Sequence, residues 1–279
     1  MTGFYLFIQL LYDRIFMYFQ GDDIMDIRVC DNGNLEKFNQ YLDMVKKYKI
    51  GIELQTFAEP HLKNERKLLN MQKAATAKIK HKSMHAPFWD LNLGTALPEL
   101  RNLTMKYLQH AYKIAKELGC DAIVFHNGYV PFTSHKKNWI KRAATFWQEF
   151  FADKDDSITI MIENMLCLDS SIILEEIDAV NDKRLKVCLD IGHAHGNSDM
   201  PVYDWIKTLN KRIGYMHMHN NHGKTNIVHN DEHNGFFDGT IDMKKIMRLV
   251  QKHCPKAIMA IETGFNDAEE AILFLKKYA

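Results

Sequence analysis

The sequence predicts an α/β chain folded as a single closed (β/α)8 barrel, and three observations predict it. Short apolar runs alternate with amphipathic stretches from Met25 to the C-terminus, the runs number eight, and no break in composition divides them. Each run is rich in Ile, Val or Met, as strands covered on both faces require. Strands are expected at Asp26–Cys30, Ile50–Leu54, Ser83–Ala86, Ala122–His126, Thr159–Glu163, Val187–Ile191, Gly214–His217 and Ile258–Glu262. Helices are expected at Leu35–Tyr48, His61–Lys80, Pro98–Leu118, Lys136–Phe151, Ser170–Asn181, Val202–Leu209, Met243–His253 and Ala268–Tyr278. In the first of these, Leu35, Phe38, Leu42 and Val45 fall at helical spacing. Its Lys-rich last turn gives way to the next strand at Ile50-Gly51.

The 279-residue length alone would allow two domains, but barrels of about 250 residues are single units. The expected division is a barrel over residues 25–279 behind an N-terminal extension over 1–24. Phe4–Phe19 is apolar and aromatic, yet Gln9, Asp13 and Arg14 interrupt it. It is too short and too charged for a spanning helix of about 20 apolar residues. It has neither the early positive charge nor the small-residue cleavage site of a signal peptide. It reads as an extension packed on the surface, or as a start placed ahead of a natural Met25, rather than as a membrane anchor.

Thirty-six Lys+Arg against 35 Asp+Glu leave a net charge of +1, so no bulk charge points to nucleic acid or an anionic membrane. Fourteen Gly, 6 Pro and 5 Cys exclude collagen-like, disordered and disulfide-scaffold classes. Cys30, Cys120, Cys167, Cys188 and Cys254 are widely spaced and form no CxxC. Cys30, Cys120 and Cys188 lie in or beside apolar runs, and reduced core thiols imply a cytoplasmic setting. The 14 histidines are the odd feature, and their positions carry the functional reading.

Catalytic groups of such barrels sit at the C-terminal ends of strands and in the loops beyond. The polar residues closing the strands are Glu53, His85, His126, Glu163, Asp190, His217 and Glu262. From the third strand to the eighth, every strand ends this way, so six such side chains converge on one mouth. A strand-end histidine alone is more often a hydrogen-bonded core residue. Together, buried carboxylates and imidazoles in that number are costly unless paired or metal-bound. Asp190 is followed three residues later by His193, so both can face the mouth. After the seventh strand, Asp231-Glu232-His233 lets an extended loop point Asp231 and His233 the same way. Imidazole with carboxylate suits zinc, manganese or iron, whereas magnesium alone prefers oxygen.

At these residues the chain resembles the xylose-isomerase-like divalent-metal TIM barrels, which include endonuclease IV and many sugar isomerases and epimerases. The resemblance runs from about Met25 to the C-terminus. Its motifs are Met84-His85-Ala86-Pro87-Phe88-Trp89-Asp90-Leu91-Asn92-Leu93, Phe125-His126-Asn127-Gly128, Ile162-Glu163-Asn164 and Leu189-Asp190-Ile191-Gly192-His193. They continue with His217-Met218-His219-Asn220-Asn221, Asp231-Glu232-His233, Asp238-Gly239-Thr240-Ile241-Asp242 and Ile261-Glu262-Thr263. In endonuclease IV three zinc ions share nine ligands. The resemblance implies that His85 and His126 hold one ion, with Glu163 bridging to a second. Asp190, His217 and Glu262 complete the second ion's set, and His193, Asp231 and His233 hold the third. The single-metal isomerases and epimerases use only the positions of Glu163, Asp190, His217 and Glu262. One to three ions, zinc or manganese foremost, are therefore expected.

The two sets imply different chemistry. Clustered ions favour phosphoester hydrolysis, whereas one ion beside Glu163 and Glu262 favours proton exchange at a sugar carbon, with those two as catalytic groups. Endonuclease IV carries a DNA-penetrating loop with Asn, Gln, Arg and Trp after strand two. Here that stretch is Gln55-Thr56-Phe57-Ala58-Glu59-Pro60, without Arg, and Asn220 stands where many relatives have Asp. A sugar or sugar-phosphate isomerase or epimerase is therefore placed ahead of an abasic-DNA hydrolase, with a catalytically silent metal-binding barrel third. No membrane partner is expected. Glu53, Phe88, Trp89 and Lys224 are the candidate substrate contacts. Glu53 reads alternatively as a partner for a lysine, and Phe88 and Trp89 as loop packing. His195, His219, His222 and His229 read as supports for ligands or as solvated loop residues.

Overall fold

The computed structural model describes residues 25–224 and 231–279. The expectations for 1–24 and for His229 lie outside the described residues. Eight parallel strands close into a barrel in chain order: β1 Ile27–Cys30, β2 Gly51–Leu54, β3 Lys82–His85, β4 Ala122–His126, β5 Thr159–Glu163, β6 Leu185–Asp190, β7 Ile213–Met218 and β8 Ile258–Ile261. β8 pairs back onto β1 through Ile27–Met259 and Val29–Ile261. Among the described residues nine α-helices surround them: α1 Phe38–Tyr48, α2 Glu65–Ala75, α3 Pro98–Leu118, α4 Lys136–Phe151, α5 Ser171–Val180, α6 Ile191–Asn197, α7 Val202–Leu209, α8 Met243–His253 and α9 Phe265–Leu275. None of these is long and apolar enough to cross a membrane.

Side chains alternate across each strand, and the alternation sorts the core into two parts. Ile52, Leu54, Ile123, Phe125, Ile160 and Ile162 join the buried helix faces in one continuous outer core. α4 buries Trp139, Phe146, Trp147, Phe150 and Phe151 in it. The other parity forms a small cluster of Cys30, Ala122, Val124, Met161, Cys188, Tyr215 and Ala260 inside the barrel. Low in the barrel, Arg28 is 1% exposed and ion-paired to Asp26 at 2.7 Å and Asp121 at 2.6 Å. At the other end the register sets His126 beside Glu163 and Asp190 beside His217. All five cysteines are free and buried.

The structure departs from the sequence reading in two places that matter. The sixth strand stops at Asp190, not Ile191, because Asp190 caps a helix. Its Oδ1 accepts from the His193 backbone N–H at 2.6 Å, and α6 follows at once. The helix expected over His61–Lys80 is only α2. Asn64 stands before it in the left-handed region at φ 61, and Thr76 ends it by donating its hydroxyl to the Gln72 carbonyl at 2.8 Å.

Candidate metal centre

The structure brings together the strand-end and loop residues singled out in the sequence. Glu163, from β5, stands at the middle of them. Its Oε2 lies 3.1 Å from His85 Nε2 and 3.2 Å from His126 Nε2. Its Oε1 lies 3.2 Å from His217 Nδ1 and 3.3 Å from His193 Nδ1. His217 Nδ1 is also 3.2 Å from Glu262 Oε2 and 3.8 Å from Asp190 Oδ2. Further out, Asp231 sits between His193 Nε2, 3.3 Å from its Oδ2, and His233 Nε2, 2.9 Å from its Oδ1.

The ring orientations have a common logic. His85, His193 and His233 each place Nδ1 at 2.9 Å from a backbone carbonyl, those of Ala86, Asn164 and Glu262. A carbonyl only accepts, so in the neutral ring Nδ1 carries the proton and the Nε2 lone pair faces the cluster. His217 is reversed: Nε2 faces both oxygens of Glu53 at 3.1 and 3.2 Å, and Nδ1 faces the cluster.

These donors fit a divalent ion. His193 Nε2, His217 Nδ1, Asp231 Oδ1 and Glu262 Oε2 are buried and form no hydrogen bond, although each has an oppositely charged group close by. Ligands about 2.0–2.2 Å from one ion stand about 3–3.5 Å from one another, which is the spacing found. Atoms aimed past each other at a shared point make poor hydrogen bonds and good ligands.

The protonation states reflect the same crowding. Burial would raise the Glu163 carboxyl, but the imidazoles of His126 and His217 outweigh it and hold Glu163 well below the ordinary range. Burial would lower His217 and His193, yet the surrounding acidic groups push both well above 6.5. His233 is carried to about 10 in the same way, against its burial, by Glu262 and Asp231. For His126 burial wins and the imidazole is lowered.

A cavity of about 440 Å³ opens onto the cluster, lined in part by Asn32, Gln55, Phe88, Met165 and Glu232. Of the candidate substrate contacts, Phe88 lines it and stacks on His126 with ring centres 4.2 Å apart. Trp89 packs on Phe88 at 4.7 Å and is 63% exposed. Lys224 is paired with Asp199. Glu53 differs from expectation: it is 0% exposed, beneath the cavity, because Tyr215, Gln55 and His217 enclose its carboxylate. His219 is fully buried, against the solvated of its two readings. His195 bonds the Thr240 hydroxyl and His222 bonds Glu232. Gln55 and Tyr215 were missed. The signal for Tyr215 was available, since it lies two residues before His217 and so faces the same way.

The xylose isomerase-like TIM barrel family model matches residues 50–278. The chain belongs to that family. Among its relatives is an uncharacterized protein of Methanocaldococcus jannaschii, 27% identical over 205 residues that cover 70% of this chain and 69% of that protein. A probable endonuclease 4 of Mycobacterium tuberculosis is 25% identical over 213 residues, covering 74% of this chain and 80% of that one. Among solved structures, a D-tagatose 3-epimerase-like protein superposes with a TM-score of 0.71 at 22% identity, over 91% of this chain and 97% of that one. A protein named as a probable endonuclease 4 is thus among the relatives, and the barrel fold is shared with the D-tagatose 3-epimerase-like protein.

Proposed function

We propose that this xylose isomerase-like barrel is a divalent-metal-dependent isomerase or epimerase acting on a small sugar. The observation that carries the reading is the cavity itself: Glu163 and Glu262 both border it, flanking one ring nitrogen of His217. Among the described residues no lysine or arginine lines it, and the sequence from Thr225 to Asn230 contains neither. A polyanion would find neither there, whereas DNA binding leans on lysine and arginine side chains. A volume of about 440 Å³ suits a monosaccharide. The absence of a lining lysine or arginine favours a free sugar over its phosphate.

Glu163, Asp190, His217 and Glu262 would hold the ion at this step of the reading. When bound, a divalent ion there supplies Lewis-acid polarisation to a carbonyl and its neighbouring hydroxyl. One of the two glutamates removes the proton from the carbon beside the carbonyl, and the other returns one to the opposite face. Gln55 donates from one Nε2 to Glu53 at 2.9 Å and to Glu262 Oε1 at 2.7 Å, which leaves Glu262 Oε2 as the working oxygen. Phe88 supplies an apolar wall for the sugar's C–H face.

A second reading, phosphodiester hydrolysis at abasic DNA, is favoured by one observation: His193, Asp231 and His233 complete a third potential ligand group. The test separates them. The protein loaded with manganese or zinc is incubated with free ketoses in D2O, and in parallel with an abasic duplex. Deuterium incorporation at a carbon beside the carbonyl, lost in Glu163→Gln and Glu262→Gln, is the expected result. Nicking of the duplex with no exchange into any ketose would overturn the sugar reading.

A further inference from the structure

We propose that His219, just beyond the end of β7, is a positioning residue that ties two of the candidate ligand groups together. The proposal rests on the metal reading above. His219 is 0% exposed, and its Nε2 lies 3.1 Å from both oxygens of Asp190. A carboxylate only accepts, so Nε2 carries the proton and fixes the plane of the Asp190 carboxylate. Its ring also lies flat on the ring of His233, with centres 4.2 Å apart and planes within 6°. One imidazole therefore sets Asp190 by its edge and His233 by its face.

The parallel stacking excludes one arrangement, His219 and His233 as ligands of a single ion. His219, His233 and Glu262 form a cluster close enough to be considered for an ion. Imidazole lone pairs lie in the ring plane, however, and two parallel planes about 4 Å apart cannot both aim at one metal within bonding distance. His219 and His233 therefore do not share an ion. The space for the His219 ring is itself built: a Cβ on Gly192 would lie 2.0 Å from the His219 Cε1. Gly192, between Asp190 and His193 in sequence, is thus needed so that His219 can reach Asp190.

Asp190 belongs with Glu163, His217 and Glu262, whereas His233 belongs with His193 and Asp231. A side chain that orders both makes loading of one group favour loading of the other, by a coupling that is reciprocal. Two substitutions separate its two contacts. His219→Phe keeps a ring against His233 but loses the donor to Asp190; His219→Gln keeps a donor but loses the stack.

The experiment is a zinc titration of the metal-stripped full chain against a competing chelator, for the wild type and both variants. Supporting residues of this kind change metal affinity by about 10–100-fold. The expected result is a fall of that size in both variants, with the steep wild-type loading curve split into separate steps. Wild-type affinity and steepness in both variants would overturn the proposal. A wild type that binds no zinc would instead overturn the metal reading beneath it. Nitrogen-15 histidine spectra of the wild type test the same point without mutation. His219 nitrogens that keep an unligated pattern at full zinc loading support the positioning role, and a zinc-ligand shift at either nitrogen overturns it.

Discussion

A carboxylate buried in a protein is tolerated only where donors surround it, and Glu53 and Glu163 meet that demand differently. Glu53 takes the Tyr215 hydroxyl at 2.6 Å, the Gln55 amide at 2.9 Å and the Cys30 thiol at 3.5 Å, besides His217. Burial would raise it, but the His217 imidazole beside it holds it down to about 2. Its role is to orient His217 and keep the other ring nitrogen free. Glu53→Gln should therefore weaken zinc binding by about 10–100-fold while leaving the KM for sugar at saturating metal little changed. Chelator competition and steady-state kinetics check this, and a large rise in KM alone would make Glu53 a substrate contact after all. Glu163→Gln should cost more. It touches His85, His126, His193 and His217, so elemental analysis should find less bound metal per chain, and retained full activity would remove Glu163 from the proposed chemistry. The donors proposed for the ion were legible because strand ends and alternation place them. The role of Gln55 was not, since its partner Glu262 lies 207 positions away, and for His219, whose partner Asp190 lies 29 positions away, support of a ligand was one of two open readings.

At the scale of elements, periodicity revealed the strands and most helices, because apolar spacing records which face is covered. α6 escaped it. Seven residues are too few to show a period, and its start depends on the Asp190 side chain capping a backbone N–H. α5 hides a different feature. Glu176 lies on its buried face, 0% exposed, where Trp147 donates its indole N–H at 3.0 Å. Burial raises its carboxyl from 4.5 to about 8, against the opposing effect of that hydrogen bond. The folded chain thus holds a proton that the unfolded chain releases above about pH 4.5. Stability is full below that value and falls as pH rises toward 8. Each unit of such a shift corresponds to about 1.4 kcal/mol. Glu176→Gln keeps an acceptor for Trp147 and has no proton to lose. Its stability relative to wild type should therefore rise between pH 5 and pH 8 by about 2–4 kcal/mol. Urea denaturation at the two pH values checks it, and parallel curves for the two proteins would show that Glu176 is not the group responsible.

For the whole molecule, near-neutral composition conceals where the charged groups gather. Glu53, Glu163, Asp190, Asp231 and Glu262 share one end of the barrel with His85, His126, His193, His217 and His233, whereas a groove at the other end is lined by Lys46, Lys49, Lys78, Lys80 and Lys276. The net +1 says nothing of this arrangement; only chain closure produces it. At the carboxylate end, electrical balance has two sources. Protonated imidazoles supply it in the metal-free protein, where His193 and His217 are raised well above 6.5. A bound ion would supply it otherwise, with neutral imidazoles as ligands. Such an ion would also engage groups from several strands at once, and so favour the folded chain over the unfolded one. At a free zinc concentration of one hundred times Kd, that preference is worth about 2.7 kcal/mol. In a chain of this size it corresponds to a Tm change of about 5–10 °C. Stripping the protein with a chelator should lower Tm by about that amount, and zinc added back should restore it. Scanning calorimetry on loaded, stripped and reloaded samples measures it. An unchanged Tm on stripping, with elemental analysis confirming that metal had left, would mean that imidazolium–carboxylate pairing alone is enough to hold this end of the barrel.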